Sequence, residues 1–187
     1  MSIIRINSLG ITDGTIVNAD INSAAAIATT KLGAGAVLQV VSATKTDTTS
    51  LTSTTYTDIT GLSVSITPSS ASNKILIVAT VTTGGTTGAQ YYRIVRDSTA
   101  ICVGDAASSR TPVSLVQNSS SHSNGLRNIT QNFLDSPNTT SATTYKIQWR
   151  VQNSPSVTIY LNRSSDDSDT ESFGRGASSI TVMEIKG

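Results

Sequence analysis

Apolar and polar side chains alternate with a period of two along most of the chain after Ala36, in short runs that end at turn-forming residues. Residues 144–151 show the pattern most clearly, because every second side chain from Tyr145 to Val151 is apolar or aromatic. The most hydrophobic run, residues 74–81, is typical of a buried central strand. Alternation of this kind predicts short β-strands. They are assigned to residues 36–41, 51–59, 62–66, 74–81, 91–96, 100–103, 125–134, 144–151, 157–161 and 179–185.

The segments between these runs are predicted to be turns and loops. The glycines of residues 84–88 predict a loop, and residues 104–124 and 162–176 predict two long polar ones. About ten strands at roughly ten-residue spacing, without helical patterns between them, predict an all-β fold, an antiparallel β-sandwich or jelly roll over residues 37–187. The first and last strands are expected to lie close together. The last strand is expected to point three apolar side chains inward: Ile180, Val182 and Ile185.

Residues 1–36 differ from the rest of the chain, since they hold many small side chains and too few large apolar ones to form a core. Asp20 can cap a short helix and Gly33 can end it, with alanines between them. The apolar side chains of this helix recur at spacings of three or four, in a narrow stripe: Ile21, Ala25, Ala28 and Leu32. Two interpretations stay open: a disordered terminus, or a docking and trimerisation arm that becomes ordered on contact.

Charged residues make up 13% of the chain and the net charge is +1, while Ser and Thr supply almost a third of all residues. Hydroxyl and branched side chains favour β-structure. The low charge argues against nucleic-acid binding, which needs a basic surface, and against a basic membrane-binding patch. No apolar run predicts a membrane-spanning helix, and the N-terminus has no pattern of a secretory signal. We therefore expect synthesis in a reducing cytoplasm, with Cys102 as the single thiol.

Three features are candidates for chemistry, and each has a simpler interpretation. His122 is the sole histidine and lies in a Ser/Asn-rich loop, where an exposed residue is favoured over a catalytic one. Cys102 is favoured as a semi-buried small residue over a nucleophile. The acidic residues 166–171 offer oxygens to a cation, but their spacing matches no calcium loop. We expect no catalytic, cofactor or metal site, which favours a structural or binding protein over an enzyme.

Aromatic side chains on the predicted strands can stack on sugars, or fill the core and subunit interfaces, and the second role is favoured. Tyr91 and Tyr92 are adjacent, so they point to opposite faces of a strand. One of the two is therefore expected to face solvent or a neighbouring subunit. The aromatic residues considered are Tyr91, Tyr92, Tyr145, Trp149 and Tyr160.

Segments in both parts of the chain carry a family resemblance. In the leader these are residues 13–22 (DGTIVNADIN), 25–32 (AAIATTKL) and 35–41 (GAVLQVV). In the body they are residues 66–77 (ITPSSASNKILI), 93–97 (RIVRD), 134–137 (LDSP), 144–148 (TYKIQ) and 179–185 (SITVMEI). As a set, these segments resemble small tail-fibre or virion appendage proteins of bacteriophages, especially those of marine and cyanobacterial hosts.

This resemblance implies a virion structural protein, a homotrimer in which residues 1–36 dock on capsid or tail proteins while the β-domain projects. A second hypothesis is a binding module that recognises a host-surface glycan or protein through the loops of residues 104–124 and 162–176, and the motifs of the chain predict no cofactor. Trimer contacts are expected on Tyr91 or Tyr92, Ile180 and Val182. No long shaft separates leader and β-domain, so two forms stay open: a short fibre or appendage that binds host surfaces, and a capsid decoration protein that stabilises the head.

Overall fold

The computed structural model describes residues 31–86, 88–119, 125–152 and 156–187. The described residues form β-strands joined by turns and loops, without an α-helix among them. Ala34–Gly187 is one compact β-domain. Its strands are β1 (Val37–Lys45), β2 (Thr49–Leu51), β3 (Thr57–Ile66), β4 (Lys74–Gly85), β5 (Gly88–Arg96), β6 (Thr99–Ile101), β7 (Leu115–Ser119), β8 (Arg127–Asp135), β9 (Thr143–Val151), β10 (Ile159–Leu161) and β11 (Ser178–Ile185).

The strands form two antiparallel sheets. Neighbouring strands in sheet I run in the order β1–β11–β4–β8, and the short strands β10 and β2 extend this sheet beside the last residues of β4. Neighbours in sheet II run β3–β9–β5, with β7 and β6 placed one after the other along the far side of β5. Each sheet is therefore four strands wide. In sheet II, β6 and β7 lie end to end along one side of β5, and in sheet I, β10 lies on the same side of β4 as β11.

Strand pairing is nested along the sequence. β1 pairs with β11, β3 with β9, β4 with β8, and β5 with both β6 and β7. The pairs β4–β11 and β5–β9 then join these ribbons into the two sheets. Two antiparallel sheets with this nested order make a jelly roll. The predicted all-β antiparallel sandwich is confirmed, and so is the pairing of the first and last strands.

The core lies between the two sheets and is filled by every second side chain of the central strands. In β9, the side chains from Tyr145 to Val151 that alternation predicts to be inward are at most 3% exposed. Burial of a large apolar side chain at such a position contributes about 1.5–3 kcal/mol to folding. The inward faces of β3, β4 and β11 add Ile59, Leu62, Val64, Ile66, Ile75, Ile77, Ala79, Val81, Ile180 and Val182.

The glycine-rich segment predicted as a loop belongs largely to β4 and β5, so that prediction is wrong. Close approach between backbones requires the glycine at Gly84. A Cβ there would lie 2.6 Å from the carbonyl oxygen of Arg163 and 2.8 Å from the Cα of Ser164. Both contacts come from a distant part of the sequence. The residues around Gly84 alone therefore do not distinguish a turn from a strand that packs closely against another segment.

β7 lies within the stretch predicted to be a long loop, residues 104–124, and it pairs with β5. Leu115 and Gln117 face inward, with Leu115 packed against the core and Gln117 9% exposed, while Val116 on the outer face is 53% exposed. A five-residue strand with an amide on its inward face and an apolar side chain on its outward face lacks the regular alternation used for the prediction. This irregular pattern explains why the strand was missed.

The orientation of the last strand differs from the prediction at one position. The even-numbered residues of β11 face inward, so Glu184 is 1% exposed and Ile185 lies on the outer face. Regular alternation from Ile180 through Val182 requires this arrangement. The prediction preferred the apolar residue for the interior, whereas the structure buries a carboxylate that four donor groups satisfy.

Two backbone hydrogen bonds join the start of the β-domain to its end. The N–H of Gly35 donates to the carbonyl of Lys186 at 2.8 Å, and the N–H of Lys186 donates to the carbonyl of Ala36 at 2.9 Å. The chain therefore enters sheet I directly beside its last strand. The helix predicted for the leader lies outside the described residues, apart from its final residues.

Candidate interaction surfaces

The outer face of sheet I carries an apolar row that crosses four strands at one level. Val40 on β1 lies opposite Met183 on β11, Met183 lies opposite Leu76 on β4, and Leu76 lies opposite Leu134 on β8. Val40 is 55% exposed and Leu134 is 49% exposed. Since directly opposed side chains on one sheet face lie in contact distance, these four form a continuous apolar band, here named the apolar row.

The next two levels of the same face carry hydroxyl and amide groups. One level holds Ser42, Thr181, Val78 and Asn132, and the other holds Thr44, Ser179, Thr80 and Thr130. Neighbouring hydroxyls bond across the strands, with Ser42 Oγ 2.8 Å from Thr181 Oγ1. None of the side chains in these levels or in the apolar row carries a charge. These three levels therefore offer apolar contact and short hydroxyl groups without charge, and Lys74 lies on the same face at the level of Ile185.

The outer face of sheet II has a different character, because polar and charged groups are linked along it. Asp58 accepts hydrogen bonds from Lys146 Nζ at 2.9 Å and Gln148 Nε2 at 2.6 Å. These two bonds hold the pKa of Asp58 below its usual range. Gln148 Oε1 in turn accepts from Arg93 Nε at 2.8 Å, and the Arg93 guanidinium stacks 3.9 Å from the centre of the Tyr56 ring.

Arg150 continues this network on the neighbouring strand. Its guanidinium lies 5.3 Å from the centre of the Tyr56 ring and 4.5 Å from that of Tyr91. Nη1 donates to the carbonyl oxygen of Thr54 at 3.3 Å, and Nη2 donates to Thr111 Oγ1 at 2.9 Å. Arg150 is only 8% exposed. Aromatic rings and backbone oxygens thus fix a guanidinium group just beneath the surface.

A cleft of about 310 Å³ opens above Arg150. Its lining is almost entirely polar, and the described residues that line it include no Asp or Glu. Gln152 is oriented by a 3.1 Å hydrogen bond in which its Oε1 accepts the N–H of Ala89. We call this space the Arg150 cleft, and its lining residues are Tyr91, Ser109, Thr111, Arg150 and Gln152.

A second cleft, of about 360 Å³, lies between β2 and β3, with Trp149 at its base. Asp47, Asp58 and Lys45 line it, so its lining carries one net negative charge. Asp47 pairs with Lys45 at 2.6 Å, and this hydrogen bond lowers the pKa of the Asp47 carboxyl. We call this space the Asp47 cleft. The two clefts have similar volume and opposite charge character.

The structure places most of the predicted trimer-contact residues in the interior of a single chain. Tyr92, Ile180 and Val182 are at most 1% exposed and lie in the core, so they offer no surface to a neighbouring subunit. Tyr91 is half-buried on the opposite face and lines the Arg150 cleft, as the alternation between the two tyrosines requires. Leu32 is 36% exposed. Three predicted stripe residues lie outside the described residues: Ile21, Ala25 and Ala28.

The other candidates for chemistry are separated in the structure. Cys102 is half-buried just after β6, and burial raises the pKa of its thiol. In the acidic segment, Asp167 pairs with Arg175 at 2.8 Å and lies 3.9 Å from Arg163. Among the described residues, no three Asp, Glu, His or Cys side chains group closely enough to hold a metal ion. His122 lies outside the described residues.

Two aromatic residues considered for sugar stacking have other roles within the chain. Tyr145 lies in the core with its hydroxyl bonded to Asp135 at 2.7 Å. Tyr160 has the Arg163 guanidinium 4.0 Å from its ring centre. The part of the chain that the structure describes contains no helix long and apolar enough to cross a membrane.

Sequence reasoning missed the apolar row and the Arg150 cleft. The apolar row was detectable, because outward positions of four predicted strands carry Val40, Leu76, Leu134 and Met183. The four residues are recognised as one patch only when the register between the strands is known, because the register places them at the same level of the sheet. The Arg150 cleft depends on the segment around Thr111 crossing the outer face of sheet II, and no local pattern indicates that contact.

No protein-family model matches the chain, and no match to a curated protein is found. Among solved structures, the chain is similar to one described as "Structure of infectious bursal disease virus Gt strain", with 10% sequence identity and a TM-score of 0.36. The match covers 82% of this chain and 43% of the other, so the chain spans less than half the length of the one it matches. A similarity of this size is a distant likeness in shape and carries no functional argument.

Proposed function

We propose that this protein is a structural component of a virus particle. It is a short homotrimeric appendage of a bacteriophage, in which residues 1–36 form the anchor and the jelly-roll domain is displayed. The leader and body segments that resemble phage tail-fibre proteins support this assignment. The fold is compatible with it, because jelly rolls are common among viral capsid and carbohydrate-binding domains. Fold alone does not define function, so the proposal depends mainly on the apolar row of sheet I.

The observation that carries the proposal is the apolar row together with the two uncharged hydroxyl levels beside it on the outer face of sheet I. Val40, Met183, Leu76 and Leu134 lie at one level across β1, β11, β4 and β8. If three copies face a threefold axis parallel to their strands, the three rows meet in one apolar layer. The apolar row and the two hydroxyl levels beside it carry no charge, so like-charge repulsion between identical surfaces is confined, within the described part of this face, to Lys74 at the end of β4. A second and third copy of the same chain are therefore the occupants we propose.

The size of this face sets the area that a trimer can bury. Four strands spaced about 4.8 Å apart, each about nine residues long at about 3.3 Å per residue, present roughly 600 Å² per subunit. Around a threefold axis each face is shared between two neighbours, so three faces together bury at most roughly 1,800 Å². The apolar row occupies one level of this face, and hydroxyl and amide groups make up most of the two levels beside it.

Placing a charge in the apolar row is expected to dissociate the trimer. We expect the full-length protein to sediment as a trimer, and Leu134→Asp to weaken association by at least about tenfold per contact, since a buried unpaired carboxylate costs well over 1.4 kcal/mol. Leu134 is 49% exposed in the single chain, so the variant should fold. Sedimentation equilibrium over a range of concentrations measures the effect.

The matched control is Val116→Asp, which adds the same charge at a 53% exposed aliphatic residue on sheet II. This variant should remain trimeric. A wild-type protein that sediments as a monomer would contradict the assembly role. Equal behaviour of the two variants would show that the apolar row is not the interface.

Removal of residues 1–33 tests the anchor, and leaves intact the Gly35–Lys186 hydrogen bond at the start of the β-domain. We expect the truncated protein to fold and trimerise but to be absent from purified particles, as measured by quantitative mass spectrometry. Incorporation at full occupancy would exclude an anchoring role. A decoration protein would be distinguished by a location on the capsid shell and by no effect of its deletion on host-cell adsorption.

A further inference from the structure

We propose that the Arg150 cleft binds an acidic sugar unit, with the sugar carboxylate directed toward Arg150 and the sugar ring against Tyr91. This inference gives a ligand class to the display role proposed above. Binding itself depends only on the cleft, so it can be tested whether or not the protein assembles on a particle.

The charge of the cleft selects the ligand class. Arg150 contributes a guanidinium that is charged at every accessible pH, and the described lining residues include no carboxylate. Ser109, Thr111 and Gln152 add hydroxyl and amide groups that can bond to sugar hydroxyls. A group of negative charge is therefore attracted by the guanidinium charge. Nη1 already donates to two backbone carbonyls and Nη2 to Thr111 Oγ1, so the attraction is electrostatic and does not depend on a paired hydrogen-bond fork.

The arrangement of the cleft is fixed before a ligand enters. The Arg150 guanidinium donates to Thr111 Oγ1 at 2.9 Å and to the carbonyl of Thr54 at 3.3 Å. Its position 4.5 Å from the centre of the Tyr91 ring also restricts that aromatic side chain. A ligand that meets groups already held in place avoids part of the entropy cost of ordering them. Tyr91 is half-buried and lines the cleft, so only the part of its ring that the Arg150 guanidinium does not cover can contact a sugar ring.

The volume of the cleft limits the ligand to a small unit. About 310 Å³ lies at the lower end of the range for small-molecule sites. This space suits one or two sugar rings of a longer chain that continues into solvent. The Asp47 cleft provides an internal comparison, because it has a similar volume but is lined by Asp47 and Asp58. We therefore expect an acidic saccharide to select the Arg150 cleft and to avoid the Asp47 cleft.

Two substitutions of the same exposed residue test the charge argument. Ser109→Asp places a carboxylate on the rim of the cleft, while Ser109→Asn adds a side chain of almost the same shape without charge. Ser109 is exposed, so neither variant should disturb folding. We expect Ser109→Asp to weaken binding of trigalacturonate at least about tenfold, since a like charge a few ångströms away is strongly repulsive at a protein surface. Ser109→Asn should change the affinity by less than about threefold.

The experiment titrates full-length protein with trigalacturonate, its methyl ester and a sulfated trigalactoside, with affinities from calorimetry and location from amide chemical shifts in NMR spectra. Trigalacturonate should bind, its neutral methyl ester should bind at least about tenfold more weakly, and shifts should centre on Tyr91, Thr111 and Gln152. Equal binding of acid and ester, shifts centred on the Asp47 cleft, or no binding of the acid would each overturn the proposal. Tighter binding of the sulfated sugar would overturn the carboxylate assignment. Trimer formation is measured separately, so failure of this proposal is distinguishable from failure of the assembly role.

Discussion

We expect Asp135→Ala to lower the free energy of unfolding by about 2–4 kcal/mol, because it removes the acceptor from a buried polar cluster that joins the two sheets. Asp135 ends β8 in sheet I and is 5% exposed. Its two carboxylate oxygens each lie 2.9 Å from Nη1 of Arg96 in sheet II. Oδ2 also accepts a 2.7 Å hydrogen bond from the hydroxyl of Tyr145, which is fully buried.

Most of this loss comes from the groups that Asp135 leaves behind. The Tyr145 hydroxyl would be buried without this acceptor, which costs about 1–3 kcal/mol. Burial and the hydrogen bond to Asp135 both raise the pKa of Tyr145, so the hydroxyl keeps its proton and stays a donor. The Arg96 side chain is 27% exposed, so water can solvate part of its charge and its contribution is smaller.

Asp58→Ala is the matched control, because Asp58 also pairs with a cation at 2.9 Å but its side chain is 48% exposed. Removing this surface pair should cost less than about 1 kcal/mol. Tyr145→Phe, which deletes only the hydroxyl, should cost about 1–2 kcal/mol. Urea unfolding of the full-length variants measures all three. Equal losses for Asp135→Ala and Asp58→Ala would show that the cluster adds nothing beyond a surface ion pair.

Glu184→Gln is expected to lower the free energy of unfolding by about 2–4 kcal/mol at neutral pH. Oε1 of Glu184 accepts hydrogen bonds from the N–H of Ser69 at 2.7 Å, from the Ser69 hydroxyl at 2.8 Å and from Asn73 Nδ2. Oε2 accepts from Gln39 Nε2 at 2.6 Å. A glutamine has nearly the same shape, but its amide group would bring a donor against donors. The substitution therefore tests the charge and the acceptor set, with packing left almost unchanged.

The same residue makes stability depend on pH in the acid range. Burial acts to raise the pKa of Glu184, but the hydrogen bonds from Asn73, Gln39 and Ser69 outweigh it and the pKa lies below its usual value of about 4.3. A lowered folded-state pKa stabilises the fold fully above the unfolded-state pKa, and this contribution is lost as the pH falls through the folded-state pKa. The stability difference between wild type and Glu184→Gln should therefore be constant above about pH 5 and shrink below about pH 4.3.

Unfolding by urea at a series of pH values from neutral to acid measures this difference directly. Other carboxyls with lowered pKa values, such as Asp58, are present in both proteins, so their effects cancel in the comparison. A difference that stays constant down to the acid end of the series would contradict the assignment. Glu184→Leu is a useful second variant, since it keeps the volume apolar and leaves all of the donors without this acceptor.

Sequence pattern was sufficient for the class of fold and for most of the core. The inward residues of β9 were predicted because one strand face is buried and the other is not, which produces strict alternation. The pairing of the first and last strands also followed from their positions. Where polar residues face inward, as at Gln117 and Glu184, the same rule fails, because their burial depends on hydrogen-bond partners that lie elsewhere in the sequence.

The candidate surfaces were not predictable to the same degree, for a related reason. Sequence analysis sought trimer contacts among the most regular strand residues, and regular alternation selects the core, so Tyr92 and Ile180 are interior. The residues available to a partner occupy the opposite positions on the same strands. Whether they form a patch depends on register, as when Leu76 of β4 is aligned with both Met183 and Leu134. Register between strands far apart in sequence has no local signature.

The hydrogen bonds that join Gly35 to Lys186 put the entry and the exit of the β-domain at the same pole of the molecule, whereas Tyr91 and Arg150 lie toward the other end of β5 and β9. A reporter protein fused after Gly187 would accordingly lie beside the start of the β-domain and leave the Arg150 cleft unobstructed. A label at this position can therefore follow binding in the proposed saccharide site without blocking it, and it would interfere with the proposed anchoring by residues 1–36.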